Sequence, residues 1–130
     1  MILDTSALVA ILLNEPERDE FTRLILKAEI VRVSVVSLVE LAIVQHQFAN
    51  PEAPRYAERF LRSAGVIEEP VTVAQGALAR QSFFDYGRGR HRARLNFGDC
   101  FSYALAKAMD EPLLFKGNDF SETDVRSARR

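Results

Sequence analysis

The sequence predicts a single α/β domain built on a central, mostly parallel sheet. Three observations lead there. Short apolar or β-branched runs recur at residues 1–3, 30–36, 66–71 and 113–115. The segments between them carry apolar residues at helical spacing, and strands alternating with helices are what parallel crossovers require. The chain has 130 residues, enough for one sizeable core and the length of one domain.

The elements follow in order. Met1-Ile2-Leu3 runs straight into Asp4-Thr5-Ser6, which reads as a buried strand feeding a helix N-terminus. Asp4 therefore stands at the carboxyl end of a strand, where open parallel sheets build their sites. Residues 6–13 read as a short helix that Thr5 or Ser6 can cap. Asn14-Glu15-Pro16 breaks it, and Pro16 suits the first turn of the next helix. That helix carries Phe21, Leu24, Ile25 and Ala28 as an apolar stripe opposite Arg18, Asp19, Glu20, Arg23 and Lys27. Residues 30–36 are rich in β-branched side chains and read as a strand. Ser37 then has the spacing of a capping box with Glu40, ahead of a mostly apolar helix over residues 38–48. Asn50-Pro51 closes that helix. Another runs from 54 to 64 and stops at Gly65, and a short strand to residue 71 precedes a helix over 73–86. The stretch from Gly87 to Arg94 is glycine-rich and strongly basic. An apolar helix over 97–109, a turn at 110–112, a buried strand at 113–115 and the loop Lys116-Gly117-Asn118-Asp119 complete the pattern. The polar tail, from about residue 126, is expected to fray.

Composition narrows the function. A formal net charge of −1 gives the whole chain no electrostatic footprint for nucleic acid or membrane, so any such contact must be local. The single Cys100 excludes an intrachain disulfide framework and a cysteine-based zinc site, and suits a reducing cytoplasm. No run approaches the roughly 18 apolar residues of a membrane span. The apolar start lacks the basic region of a signal peptide.

Four acids remain to be explained: Asp4, Glu40, Asp99 and Asp119. Taken singly, each has a structural reading. Asp4, Asp99 and Asp119 can cap helices or turns, and Glu40 can pair with Ser37. Glu40, however, lies in a segment apolar nearly all round, where an unpaired carboxylate is costly. Two strand ends and two helix starts would direct all four acids to one sheet edge. Carboxylates that close raise one another's pKa unless a cation neutralises them. Oxygen ligands without Cys or His favour Mg²⁺, or Mn²⁺, over zinc.

At these acids the sequence resembles a known family. Ile-Leu-Asp-Thr-Ser-Ala-Leu at 2–8, Val-Ser-Leu-Val-Glu-Leu at 36–41, Leu-Asn-Phe-Gly-Asp-Cys-Phe-Ser-Tyr-Ala-Leu-Ala at 95–106 and Leu-Leu-Phe-Lys-Gly-Asn-Asp-Phe at 113–120 are similar to the four motifs of the PIN domain. The likeness is closest to the VapC toxins of bacterial toxin–antitoxin pairs and runs from Met1 to about Val125. It implies a three-layer α/β/α fold and a metal-dependent ribonuclease. Asp4, Glu40, Asp99 and Asp119 then fill an acidic quartet, with Asp4 and Asp99 as the principal metal ligands and Glu40 and Asp119 acting directly or through water. Ser6 matches a hydroxyl that orders the site, and Asn118 flanks the fourth acid. Whether Asp124 contributes is left open.

Such a site would use one or two Mg²⁺ ions to activate water and stabilise the charge on the attacking and leaving oxygens. That needs no Ser or His nucleophile, and the resemblance implies cleavage leaving a 5′-phosphate and a 3′-hydroxyl. Arg88, Arg90, Arg92 and Arg94 are the expected RNA contacts, set against the alternative of a solvated loop. His46, His91 and Cys100 read as helix-face, loop and core residues. The resemblance further implies a VapB-type antitoxin that covers the cleft, and a homodimer. Rival chemistries fit less well. A haloacid-dehalogenase-type phosphatase needs a second Asp where Ser6 stands, and a receiver domain lacks its acidic pair here. A PIN-like fold serving only as an interaction module would usually have lost one of the acids, and all four are present.

Overall fold

The computed structural model describes residues 1–48 and 50–129. Its sheet has four strands: β1 (Ile2–Leu3), β2 (Arg32–Ser34), β3 (Ile67–Glu69) and β4 (Leu113–Leu114). All pair in parallel, in the order β3-β2-β1-β4. Among the described residues six α-helices accompany them: α1 (Thr5–Leu12), α2 (Arg18–Lys27), α3 (Val35–His46), α4 (Ala53–Ser63), α5 (Val73–Tyr86) and α6 (Phe97–Met109).

Because successive strand residues face opposite ways, the two-residue centre of the sheet feeds two cores at once. Ile2 and Leu113 turn towards α5 and α6 and pack with Leu95, Ala104, Leu105 and Phe120. Leu3, Val33 and Leu114 turn the other way and pack with Leu8, Ile11, Phe21, Ile25 and Leu41. This is the expected three-layer α/β/α arrangement. No helix among the described residues is long and apolar enough to cross a membrane.

The strand order fixes where a site can form. From β1 the chain moves outward to β2 and β3, then returns to the far side of β1 as β4. The order therefore reverses between β1 and β4, and a crevice opens outside the carboxyl ends of these strands. Asp4 leaves β1 there, its backbone N–H bonded to Leu114 O at 3.0 Å.

Three expectations need correction. The first concerns α3, which begins at Val35, with Ser34 Oγ accepting from Val36 N at 3.2 Å as its cap. Ser37 is buried inside the helix, so the Ser37–Glu40 capping box does not form. The β-branched pair Val35-Val36 has strand propensity, but such propensity yields to packing. The second is the cap of α1, which is Asp4 rather than Thr5 or Ser6. The third is the tail, which is pinned rather than frayed over its described part. Leu113 N donates to Arg126 O at 2.8 Å and Ala128 N to Leu113 O at 2.9 Å, covering the open edge of β4. Arg129 holds Glu20 through two hydrogen bonds, of 3.0 and 2.8 Å, and lies over the Phe21 ring. Arg130 lies outside the described residues.

Candidate active site

Asp4 is the most constrained acid. It is 3% exposed, and both of its oxygens accept hydrogen bonds. Oδ2 takes the Ser6 backbone N–H at 3.0 Å and the Ser6 hydroxyl at 2.6 Å, while Oδ1 takes the Ser102 hydroxyl at 2.7 Å. Ser6 Oγ in turn accepts from Lys116 N at 3.0 Å, so one hydroxyl joins the end of β1 to the loop after β4. Ser102 Oγ also lies 3.1 Å from Ser37 Oγ. With its single proton given to Asp4, Ser102 must accept there, and Ser37 donates. The relay from Ser37 through Ser102 fixes the Asp4 carboxylate.

Ser102 and Ser37 are site residues that sequence reasoning missed. The signal for Ser102 is its spacing of three from Asp99, which puts both on one face of α6.

Asp99 occupies the third position of α6 and forms a capping box. Its Oδ2 accepts from Asn96 N at 3.0 Å, and Asn96 Oδ1 accepts from Asp99 N at 2.9 Å. The cap and the site are thus the same residue. Burial first, and then the carboxylates of Asp4, Glu40 and Asp119, push its pKa up to about 7 against the opposing pull of the Asn96 N–H. The other three acids thus all act on Asp99.

Glu40 reaches the cluster from α3. Its carboxyl pKa is raised, first by burial and also by Asp4. The Thr5 hydroxyl, which donates to Ser37 O at 3.0 Å, pulls the other way without overcoming burial. The Glu40 carboxylate lies directly against Gly98 in the first turn of α6. A β-carbon at Gly98 would stand 2.5 Å from Glu40 Cδ, so a larger residue at 98 would push the Glu40 carboxylate out of this position. Asp119 sits at the exposed rim, on the loop leaving β4 and before a 3₁₀ turn (Phe120–Glu122). Its side chain makes no cap hydrogen bond, contrary to the capping alternative. Asn118 is exposed beside it.

Asp124 does not join the cluster. It accepts from Tyr103 OH at 2.7 Å and Lys107 Nζ at 3.0 Å, and these partners outweigh burial to hold its pKa below the ordinary value. His91 accepts from Ala93 N through Nδ1 and packs edge-on against Tyr86. Cys100 is buried.

The basic stretch forms a closed turn between α5 and α6. Leu95 N donates to Tyr86 O and Arg88 N to Leu95 O, both at 2.9 Å. Arg88, Arg90, Arg92 and Arg94 all project into solvent. Arg90 lies over the Phe84 ring at 5.3 Å, and Arg92 pairs with Glu122 at 2.8 Å, tying the turn to the segment just after Asp119. The basic turn thus borders the acidic rim.

Whether these residues suit a divalent cation can be judged from their donors. They offer carboxylate and hydroxyl oxygens only. None of the four acids takes part in an ion pair among the described residues. Among the same residues, no three Asp, Glu, His or Cys side chains close into a cage tight enough to enclose an ion. Mg²⁺ does not ask for one: it keeps several waters and takes one or two carboxylates plus substrate phosphate. The donor set fits.

Comparison with known proteins agrees with this geometry. The family model described as PIN domain matches residues 1–126. Ribonuclease VapC28 of Mycobacterium tuberculosis is 44% identical over 129 residues, covering 98% of this chain and 97% of that protein. Ribonuclease VapC30 of the same species is 44% identical over 126 residues, covering 96% and 95%. The crystal structure of M. tuberculosis VapC20, described as a sarcin–ricin loop cleaving toxin, superposes with a TM-score of 0.76 over 95% of each chain. At 22% identity it speaks for the fold alone. With four acids meeting at the switch point of this sheet and relatives matched over nearly their whole length, the chain belongs to the PIN-domain family, among the VapC ribonucleases.

Proposed function

We propose that this chain is the toxin of a type II toxin–antitoxin pair, a Mg²⁺-dependent endoribonuclease held in check by a cognate VapB-type antitoxin. The observation that carries the reading is the convergence of Asp4, Glu40 and Asp119 on Asp99 at the β1–β4 crevice, where burial and these three carboxylates push the Asp99 pKa up to about 7.

Asp4 and Asp99 are the proposed direct ligands, because hydrogen bonds from Ser6, Ser102 and Asn96 hold each in a set orientation. Glu40 and Asp119 complete the site directly or through water, and Ser6 and Asn118 support it. When bound, Mg²⁺ (or Mn²⁺) would supply Lewis-acid stabilisation of the scissile phosphate and an activated water. The chain's own contribution is orientation: the serine relay keeps the Asp4 carboxylate aimed, and Gly98 leaves room for Glu40. Arg88, Arg90, Arg92 and Arg94 would neutralise flanking phosphates along the rim.

Apolar side chains stand exposed beside the cleft. Val39 and Ile43 on α3, and Phe83, Phe84 and Phe97 at α5 and α6, supply surface suited to an antitoxin segment and to a second copy of the chain. A cytoplasmic location completes the proposal.

The test is cleavage of total RNA by purified, antitoxin-free protein with Mg²⁺, with EDTA, and as Asp4→Asn. Cutting in the first condition alone supports the nuclease. A folded protein that cuts in none of them would favour a non-catalytic PIN-fold interaction module.

A further inference from the structure

The loop that carries Asn118 and Asp119 begins with a lysine, and a cation beside four carboxylates should move to them. Lys116 does not. Its ammonium lies 3.2 Å from Glu15 Oε2 and 3.3 Å from Glu17 Oε1, in the turn between α1 and α2. Its backbone is nevertheless next to the cluster: Lys116 N donates to Ser6 Oγ, and that hydroxyl donates to Asp4. Main chain and side chain of one residue are thus pulled apart, the first towards Asp4 and the second away from it.

The pull away is built in. Glu17 Oε1 is fully buried and has no hydrogen-bond partner among the described residues. The ammonium 3.3 Å away, though not aligned as a hydrogen bond, supplies its countercharge. Such a carboxylate strongly favours keeping a cation close. The turn that offers Glu15 and Glu17 is itself fixed. Glu15 N donates to Ala10 O and Arg18 N to Glu15 O, both at 2.9 Å, and Asn14 takes a left-handed φ of 55°. Gly117, at φ 95°, then turns the chain sharply towards Asp119. Buried Phe120, its ring 5.2 Å from that of Phe115, anchors the far end of the loop.

We propose that Glu15 and Glu17 clamp Lys116 so that its charge stays out of the acidic cleft while its backbone holds the Asp119 loop in place. Lys116 is then a positioning residue, and the two glutamates keep an internal cation from competing with the metal. This rests on the reading of the quartet as a Mg²⁺ site.

The experiment titrates Mg²⁺ against the melting temperature of intact, antitoxin-free protein. It compares wild type, Glu15→Gln/Glu17→Gln, and the same double variant carrying Lys116→Met. Freeing the ammonium should raise the Mg²⁺ midpoint about tenfold, as expected for one charge placed within a few ångströms of the ion. Removing that charge in the triple variant should bring the midpoint back to within about twofold of wild type. A clamp that served stability alone would leave the triple variant no better than the double. An unchanged midpoint in the double variant, or no recovery in the triple, overturns the proposal. If the double variant fails to fold, Glu15→Gln with and without Lys116→Met makes the same comparison. No Mg²⁺-dependent shift in wild type would instead refute the metal site itself.

Discussion

Replacing Asp99 with asparagine should make the metal-free protein more stable, and increasingly so as the pH rises. The carboxyl titrates near 3.8 when exposed and near 7 in the fold, where burial and three neighbouring acids oppose its ionisation. Its folded pKa is raised, so between these two values the folded state keeps a proton that the unfolded chain has released. Stability is therefore lost as pH climbs from about 4 to about 7, and the full loss persists above that. At 1.36 kcal/mol for each tenfold difference in proton affinity, the loss reaches an upper bound of about 4 kcal/mol, of which less than about 2 has accrued by pH 5. The Asp99→Asn change would abolish this cost yet keep the cap, because the amide oxygen can still accept from Asn96 N.

Melting curves of both proteins in EDTA, from pH 5 to pH 8, make the comparison. The advantage of Asp99→Asn should grow by about 2–3 kcal/mol over that range, on the order of 5–10 °C for a chain of this size. Glu40 titrates in both proteins, so the difference reports the ionisation of position 99 together with its coupling to the neighbouring acids. Saturating Mg²⁺ at pH 8 should then stabilise wild type far more than the variant. A difference that stays flat with pH, or a variant less stable throughout, would refute the claim that the fold forces these acids together at a cost.

Other substitutions probe the remaining parts. Gly98→Ala should cut RNA cleavage at least tenfold by displacing Glu40, while helix propensity offsets part of any strain by about 1 kcal/mol. Full activity would mean that Glu40 is dispensable. Ser102→Ala removes the donor to Asp4 Oδ1 and should cost about 1.5–3 kcal/mol in chemical denaturation, since the acceptor is a buried carboxylate. A loss below about 0.5 kcal/mol would argue against the relay. Arg90→Glu with Arg92→Glu should weaken RNA binding and lower the slope of log affinity against log salt by about 1.4, the value for two phosphate contacts on a single strand. An unchanged slope would leave the basic turn as solvated surface.

The sequence reveals the site more readily than the details of its scaffold. Each acid sits in a local pattern that position alone explains: an apolar run ending at Asp4, an apolar helix around Glu40, a helix start at Asp99, a loop after a strand at Asp119. What stays hidden depends on contacts between distant segments. Ser37 resembles a cap because Ser-x-x-Glu has capping spacing, yet Ser34 is three residues earlier and equally able to cap. Only packing against α6 decides that Ser37 points inward to Ser102. Asp124 is ambiguous in sequence, and Tyr103 and Lys107 on the facing helix claim it in the fold. The tail reads as frayed because its residues are polar, whereas its order comes from backbone bonds to Leu113, which polarity does not report.

The pairing of β1 with β4 has a consequence in time. The first strand of the sheet completes its hydrogen bonding with the last, and Asp4 is oriented by Ser102 and, through Ser6, by Lys116. Translation makes Asp4 almost at once but supplies its partners only about a hundred positions later. Until β4 has left the ribosome there is no crevice, and the acids are not yet gathered at one sheet edge. On the proposed function, a growing chain would therefore lack an assembled site for cutting RNA, including the message and ribosome that are producing it. Because long-range closures of this kind also come late in folding, the toxic state would begin only after synthesis of the last strand, leaving an interval in which a partner could already be waiting.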